Sequence, residues 1–335
     1  MKRWSAATLL LTLLASAVAW ALIAACCIMV GSAESFGWPS ADIMPYRREP
    51  VLLASLVGAA LAAAGVAYQA VLRNPLADPY LLGASSGAML FAYLWQLPAL
   101  SAWIVFGEQA FAFAGALSAV GIVFALASRG GRLEPVTLLL VGVIVNAVNG
   151  AIFLLLNAII KDPAAAGGPL TFLVGGLQTN LLRQQEIIAS IVCAAGWIVL
   201  LYFSGDLNVG VLSDAEAQAL GVRIHRLRWL ALVTASLITA SAVAVSGPIG
   251  FVGLVCPHLA RLLVGNDQRK LLPIATAMGA SLLAVADALS RMLSRQGAAG
   301  TKLPVGVLTG LLGGPFFLIL LWQTRKRAAA GELGQ

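Results

Sequence analysis

The sequence predicts an all-α polytopic membrane protein: ten transmembrane helices in an inverted-repeat arrangement, with short broken or re-entrant helices. Three observations carry that fold class. Hydrophobic residues fill 60% of the 335 positions and charged residues only 10%, too little charge for a water-facing surface. Apolar runs recur near the roughly 20 residues that one crossing of a bilayer core requires. Two passages dense in proline and glycine interrupt the pattern at matching places, where a plain helical turn would suffice.

In chain order the runs cover 6–30, 51–72, 81–97, 109–128, 137–160, 187–203, 229–245, 249–264, 272–293 and 305–322. The first follows Lys2-Arg3, but it exceeds the roughly 7–15 apolar residues of a signal core and reads as a retained helix. An even number of crossings places both termini on one side, and basic residues select the cytoplasm. With the N-terminus inside, 14 of the 21 Lys and Arg fall in inner segments and 7 in outer ones, so both termini are expected in the cytoplasm. The net charge of +7 then reflects topology, and nucleic acid is not an expected partner; membrane lipid is. The whole chain, 1–335, reads as one transmembrane domain.

Several chemistries are excluded. Gly-Lys occurs nowhere, so the phosphate-cradling loop of a nucleotide-binding domain is missing, and any ATP must be hydrolysed by a separate subunit. Cys26, Cys27, Cys193 and Cys256 lie in or beside apolar runs without metal or disulfide spacing, and read as small buried hydrophobes. Two histidines, His225 and His258, cannot make a multi-histidine metal site. No bound metal or cofactor is expected. A membrane-embedded enzyme acting on a lipid would need convergent carboxylates or histidines at depth, and Asp287 alone is too little. An ion-coupled secondary transporter would work without an ATPase.

The passage RNPLADPYLLGASSGA joins the second and third runs. Asn74-Pro75 and Asp78-Pro79 bias their first residues away from helix, which predicts a re-entrant or broken turn. Irregular backbone survives near lipid only when buried in protein or lining a watery cavity, so the turn is a candidate inner mouth of a pathway. A second passage, SGPIGFVGLVCPHLARLL, opens the eighth run with Gly247-Pro248 and is expected to interrupt it at Pro257. The helices preceding the two passages are five crossings apart, hence opposite in direction, as an inverted repeat requires. Asn146, Asn149 and Asn157 share one stripe of the fifth helix; they either line the pathway or hydrogen-bond between helices.

The longest inner connection, 207–228, carries a short capped helix: Ser213 as N-cap, Glu216 completing a capping box, and Gly221 just past the end. Its Ala215, Ala219 and Leu220, followed by Arg223, Arg226 and Arg228, suit either a headgroup surface or a soluble partner. Asp287 and Arg291 stand four residues apart and are expected to form an ion pair on one helix face.

These stretches, with DQRKLLP, the AD..SR of 286–291 and LPVGVLTGLLGGPFF, resemble the FecCD-type permeases, the membrane subunits of type II ABC importers for ferric siderophores, haem and cobalamin. The likeness runs over most of the chain from Arg47 onward. It implies a homodimer in a bacterial inner membrane, two cytoplasmic ATP-binding-cassette ATPase subunits and a periplasmic substrate-binding protein. It further implies that Asn74, Pro75 and Leu76 belong to an inner gate, and that Ser213, Asp214, Glu216, Leu220, Gly221, Arg223 and Arg226 belong to the segment that seats in an ATPase groove. Arg47, with Arg48 beside it, and Arg291 or Arg295 would pair with carboxylates of the binding protein. His258 is either a passing contact for haem iron or a structural hydrogen-bonding group. Lys302 stands where the family usually has Glu before L/I-P-V-G. The implied cargo is a bulky metal chelate, either a ferric siderophore or other iron(III) chelate or haem, with cobalamin as the alternative.

Overall fold

The computed structural model describes residues 6–31, 37–97, 107–129, 132–160, 175–177, 183–294 and 303–332. Its helices are α1 (Ala6–Met29), α2 (Met44–Val71), a 3₁₀ turn (Pro79–Leu82), α3 (Ala84–Gln96), α4 (Glu108–Ala127), α5 (Pro135–Ile160), α6 (Arg183–Tyr202), α7 (Ser204–Gly210), α8 (Asp214–Ala219), α9 (Ile224–Ser246), α10 (Val252–Val264), α11 (Gln268–Ser294) and α12 (Val305–Glu332). A two-stranded antiparallel clip, β1 (Ser128–Arg129) with β2 (Arg132–Leu133), joins α4 to α5.

Every predicted run has a helix, but the runs are not equal. Among the described residues, seven helices are long and apolar enough to cross a membrane: α1, α2, α4, α5, α6, α9 and α11. The third and eighth runs shrink to α3 and α10, 13 residues each, which rise about 20 Å against a bilayer core of about 30 Å. The lost length is the irregular backbone before each helix. Positive φ marks both breaks, at Arg73 (49°) and Gly83 (88°) in the first and at Gly247 (66°) and Phe251 (69°) in the second. A long helix, an unwound passage and a short helix thus occur twice.

Small residues set the packing. α2 is the central element, with 83% of its apolar window buried, against 6% for α1. A methyl group on Gly58 would strike the Gly279 carbonyl of α11, and one on Gly65 would strike the Gly253 carbonyl of α10. Lipid tails are as apolar as leucine, so close backbone approach through such residues drives association where hydrophobic burial cannot. Gly87 and Gly115 bring α3 and α4 together in the same way. Polar bonds reinforce the contacts: Tyr68 Oη and Ser236 Oγ lie 2.7 Å apart between α2 and α9, and Trp20 Nε1 donates to Ser55 Oγ at 3.0 Å between α1 and α2. Broad apolar faces remain exposed on α1 and α5, including Leu11, Leu22, Leu140 and Leu154, as lipid contact demands.

Candidate functional site

Each Asx-Pro pair of the first break folds by the same chemistry. Proline contributes no N–H, so the next amide is the first that needs a partner, and the preceding side chain supplies it. Asn74 Oδ1 accepts from Leu76 N at 2.9 Å, and Asp78 Oδ1 accepts from Tyr80 N at 2.9 Å. Two Asx turns in series carry the chain from α2 into the 3₁₀ turn. Asn146 of α5 donates to the carbonyls of Tyr80 (3.1 Å) and Leu81 (3.4 Å), and Asn149 donates to Ser86 Oγ at 3.1 Å. These two asparagines therefore brace the broken turn and the start of α3. Asn157 is half-buried farther along α5. The letters Gly83-Ala84-Ser85-Ser86-Gly87 match G-x-S-x-G, but they follow a 3₁₀ turn and not a strand, so the nucleophile elbow of that motif is not formed.

The second break meets the first. Ile249 N donates to Tyr80 Oη at 2.9 Å, the Phe251 amide donates to the Asp78 carboxylate, and the Pro79 ring lies against Gly253. The expected interruption at Pro257 does not occur: α10 runs unbroken from Val252 to Val264. Pro257 has no N–H for the Gly253 carbonyl four residues back, and Gln69 Nε2 approaches that carbonyl (3.5 Å) and the Leu254 carbonyl (3.4 Å) instead. Arg261 Nη2 donates to Gln69 Oε1 at 3.0 Å, closing the arrangement. His258 lies on α10, half-buried, with its ring edge-on to Phe316 at a centroid distance of 6.3 Å.

The predicted capped helix forms as α8. Ser213 Oγ accepts from Glu216 N (3.3 Å), and Glu216 Oε2 accepts from Ser213 N (3.0 Å) and Ser213 Oγ (2.6 Å). Those hydrogen bonds from Ser213 hold the Glu216 carboxyl below its ordinary pKa. Gly221 takes φ 83°, and the Gly221 and Val222 amides bond back to Gln218 and Ala217 in a Schellman ending. Ser213, Glu216, Leu220, Gly221, Arg223 and Arg226 are all exposed, and Leu220 exposes 64% of its surface. Asp214 faces the protein: it accepts from Arg73 Nη2 at 2.7 Å and from Arg228 Nη2 and Nη1 at 2.7 and 3.2 Å. Burial raises the Asp214 pKa, but the bonds and charges of Arg73 and Arg228 outweigh it, and the net shift is downward. Sequence reasoning named Asp78 only for breaking the helix, and missed Arg73, Gln69 and Tyr80. Gln69 carried the clearest signal, a polar side chain inside an apolar run.

The arginines expected at an outer surface divide. Arg47 Nη1 donates to the carbonyls of Met29 (3.1 Å) and Ile28 (3.4 Å), while Arg291 donates to those of Cys27 (3.2 Å) and Val30 (3.3 Å) and sits 3.1 Å from Asp287. Both cations satisfy the terminal carbonyls of α1, which has no basic residue of its own in its last turn. The Asp287–Arg291 pair is the one expected from the spacing. Arg48 is exposed, and Arg295 and Lys302 lie outside the described residues. Among the described residues, no three His, Cys, Asp or Glu side chains converge as a metal site.

The sequence profile of the FecCD transport family matches residues 6–323. The chain belongs to that family. This FecCD chain is 41% identical over 288 residues to the hemin transport system permease protein HmuU of Yersinia pestis, covering 84% of this chain and 83% of that one. It is 40% identical over 284 residues to the cobalamin import system permease protein BtuC of Halobacterium salinarum, covering 84% and 73%. A solved inward-facing structure of a transporter described as metal-chelate type ABC superposes with TM-score 0.80 at 28% identity, covering 94% of the FecCD chain and 99% of the other.

Proposed function

We propose that this chain is the permease subunit of an ATP-binding-cassette importer that moves a bulky metal chelate from periplasm to cytoplasm across a bacterial inner membrane. Two copies would enclose the pathway, with both termini in the cytoplasm. Two ATPase subunits would seat on α8 and its flanks in 207–228, through Leu220, Arg223 and Arg226. A periplasmic binding protein would dock on the opposite side. The observation that carries this reading is the capped, outward-facing α8 bonded through Asp214 to Arg73, the residue that leads directly into the Asn74–Leu76 turn that would act as inner gate. Movement of α8 then has a physical route into backbone at membrane depth, as alternating access requires.

Among the outer arginines, Arg48 is the one we assign to the binding protein, because the guanidinium groups of Arg47 and Arg291 are committed to α1. Guanidinium pairs bidentately with carboxylates; at a rim its main effect is on orientation and encounter rate. The cargo we favour is a ferric siderophore or other iron(III) chelate, or haem, with cobalamin as the alternative; near-equal identity to the haem and cobalamin relatives supports the class without separating its members.

Reconstituting the chain in vesicles with and without its ATPase tests the proposal: uptake of chelate should need both the ATPase and ATP. Uptake by the lone chain without nucleotide would refute it. Retention of ferric chelate, haem or cobalamin by the cognate binding protein would decide the cargo.

A further inference from the structure

One carboxylate and the arginine it holds join four pieces of the chain at the end where α8 lies. Asp214 is the first residue of α8. Its Oδ1 takes Arg73, from the turn after α2, and Arg228, from the base of α9, each at 2.7 Å. Arg73 also donates through Nε to the Gly210 carbonyl, the last residue of α7, at 3.1 Å. Arg228 is 6% exposed, so one side of the clamp is fixed in packed protein and the other reaches a turn.

That turn is held in an unusual state. Arg73 has φ 49°, a left-handed conformation that a long side chain rarely adopts without reinforcement. Its two side-chain bonds supply the reinforcement, and both lead to the α7–α8 segment. The next residues are Asn74, Pro75 and Leu76, and the far end of the same passage is bonded to Ile249 and Phe251 in the second break. A continuous path therefore runs from α8 through the Asp214–Arg73 ion pair, along the backbone of the first passage, and through the Tyr80 and Asp78 bonds into the second. The Asp214 carboxylate is turned onto Arg73 and Arg228 although its side chain is partly exposed, and its pairing is not needed to cap α8, because Ser213 and Glu216 already do so.

We propose that Asp214 is the positioning residue that transmits displacement of α8 to the gate turn, acting through Arg73, with Arg228 holding the carboxylate in register. This deepens the importer reading and rests on it. When an ATPase moves α8, Asp214 carries the start of the Asn74–Leu76 turn along; without the ion pair, α8 moves and the turn lags.

The test uses the full transporter in vesicles with its ATPase and binding protein, and reads chelate imported per ATP hydrolysed. Asp214→Asn and Arg73→Gln should each lower that ratio about tenfold, within the usual span of coupling between sites. The double variant should be no worse than the single variants, since both remove one link. Asp214→Glu, which keeps the charge, should recover part of the ratio. An unchanged ratio in Asp214→Asn, or a double variant whose loss is the product of the two single losses, overturns the proposal. Should Asp214→Asn fail to assemble, Arg73→Gln and Asp214→Glu carry the same comparison. Failure of the importer reading would look different: the unaltered chain would import chelate without ATP.

Discussion

Tyr80 Oη accepts the amide of Ile249 at 2.9 Å across 169 residues of sequence. The bond ties together the two places where the chain abandons regular helix at membrane depth. Water is scarce there, so each freed amide needs a protein partner. Tyr80→Phe removes this one and leaves the ring. It should cost about 1–3 kcal/mol, the penalty of a buried unsatisfied group, seen as lower thermal stability in detergent, whereas Tyr68→Phe should not loosen the second break. Hydrogen exchange at Ile249 would separate the two, rising only in Tyr80→Phe.

Gly65→Leu tests the central packing. Its side chain would enter the space of the Gly253 carbonyl, and neither backbone can retreat without opening the α2–α10 contact. Overpacking of this kind costs about 1–3 kcal/mol or more. The yield of folded protein should fall sharply, while Gly314→Leu, where nothing lies within 4 Å of an added Cβ, should be recovered near the original level.

Arg291→Ala should be more damaging than loss of both partners. It strips the guanidinium from Asp287, whose side chain is fully buried, and breaking a buried pair from one side costs about 3–5 kcal/mol. The double variant Asp287→Ala/Arg291→Ala should regain much of that stability in a detergent melt. Equal stability of single and double variants would remove the ion pair from the account.

Arg48→Glu should weaken capture of the binding protein and slow uptake, most at low salt, without lowering the melting temperature. Arg47→Glu should do the reverse in stability, because its guanidinium holds the Met29 and Ile28 carbonyls. Binding measured by surface plasmon resonance, beside a melt of each variant, distinguishes them.

The acid response of the Asp214 clamp follows from its lowered pKa. A carboxyl whose folded pKa is depressed contributes stability at pH above its unfolded value and loses it as pH falls through the folded one. The difference in melting temperature between the unaltered protein and Asp214→Asn should therefore stay constant from about pH 8 to about pH 5 and close only in stronger acid. A gap that closes near neutrality would contradict the clamp.

Much of the architecture was legible because lipid makes strong demands on sequence. Every apolar run became a helix, and Ser213, Glu216 and Gly221 spelled α8 residue by residue, since caps depend on neighbours only. The breaks were visible as Asn-Pro, Asp-Pro and Gly-Pro pairs, but not their meeting, which joins residues 169 apart. Pro257 read as an interruption because local rules see the missing N–H and cannot see Gln69 replacing it from another helix. That Arg47 and Arg291 also hold the end of α1 could not be read for a like reason: the carbonyls they engage belong to another helix.

The attachment of α1 also bears on biosynthesis. Arg47 lies 18 residues beyond Met29 and can grip the end of α1 as soon as α2 enters the bilayer, whereas Arg291 lies 261 residues beyond Val30. Among the described residues, the helices α3 to α10 are all made between the first anchor and the second. An early helix thus waits on a provisional hold, and its final clasp reports that nearly the whole chain has been threaded.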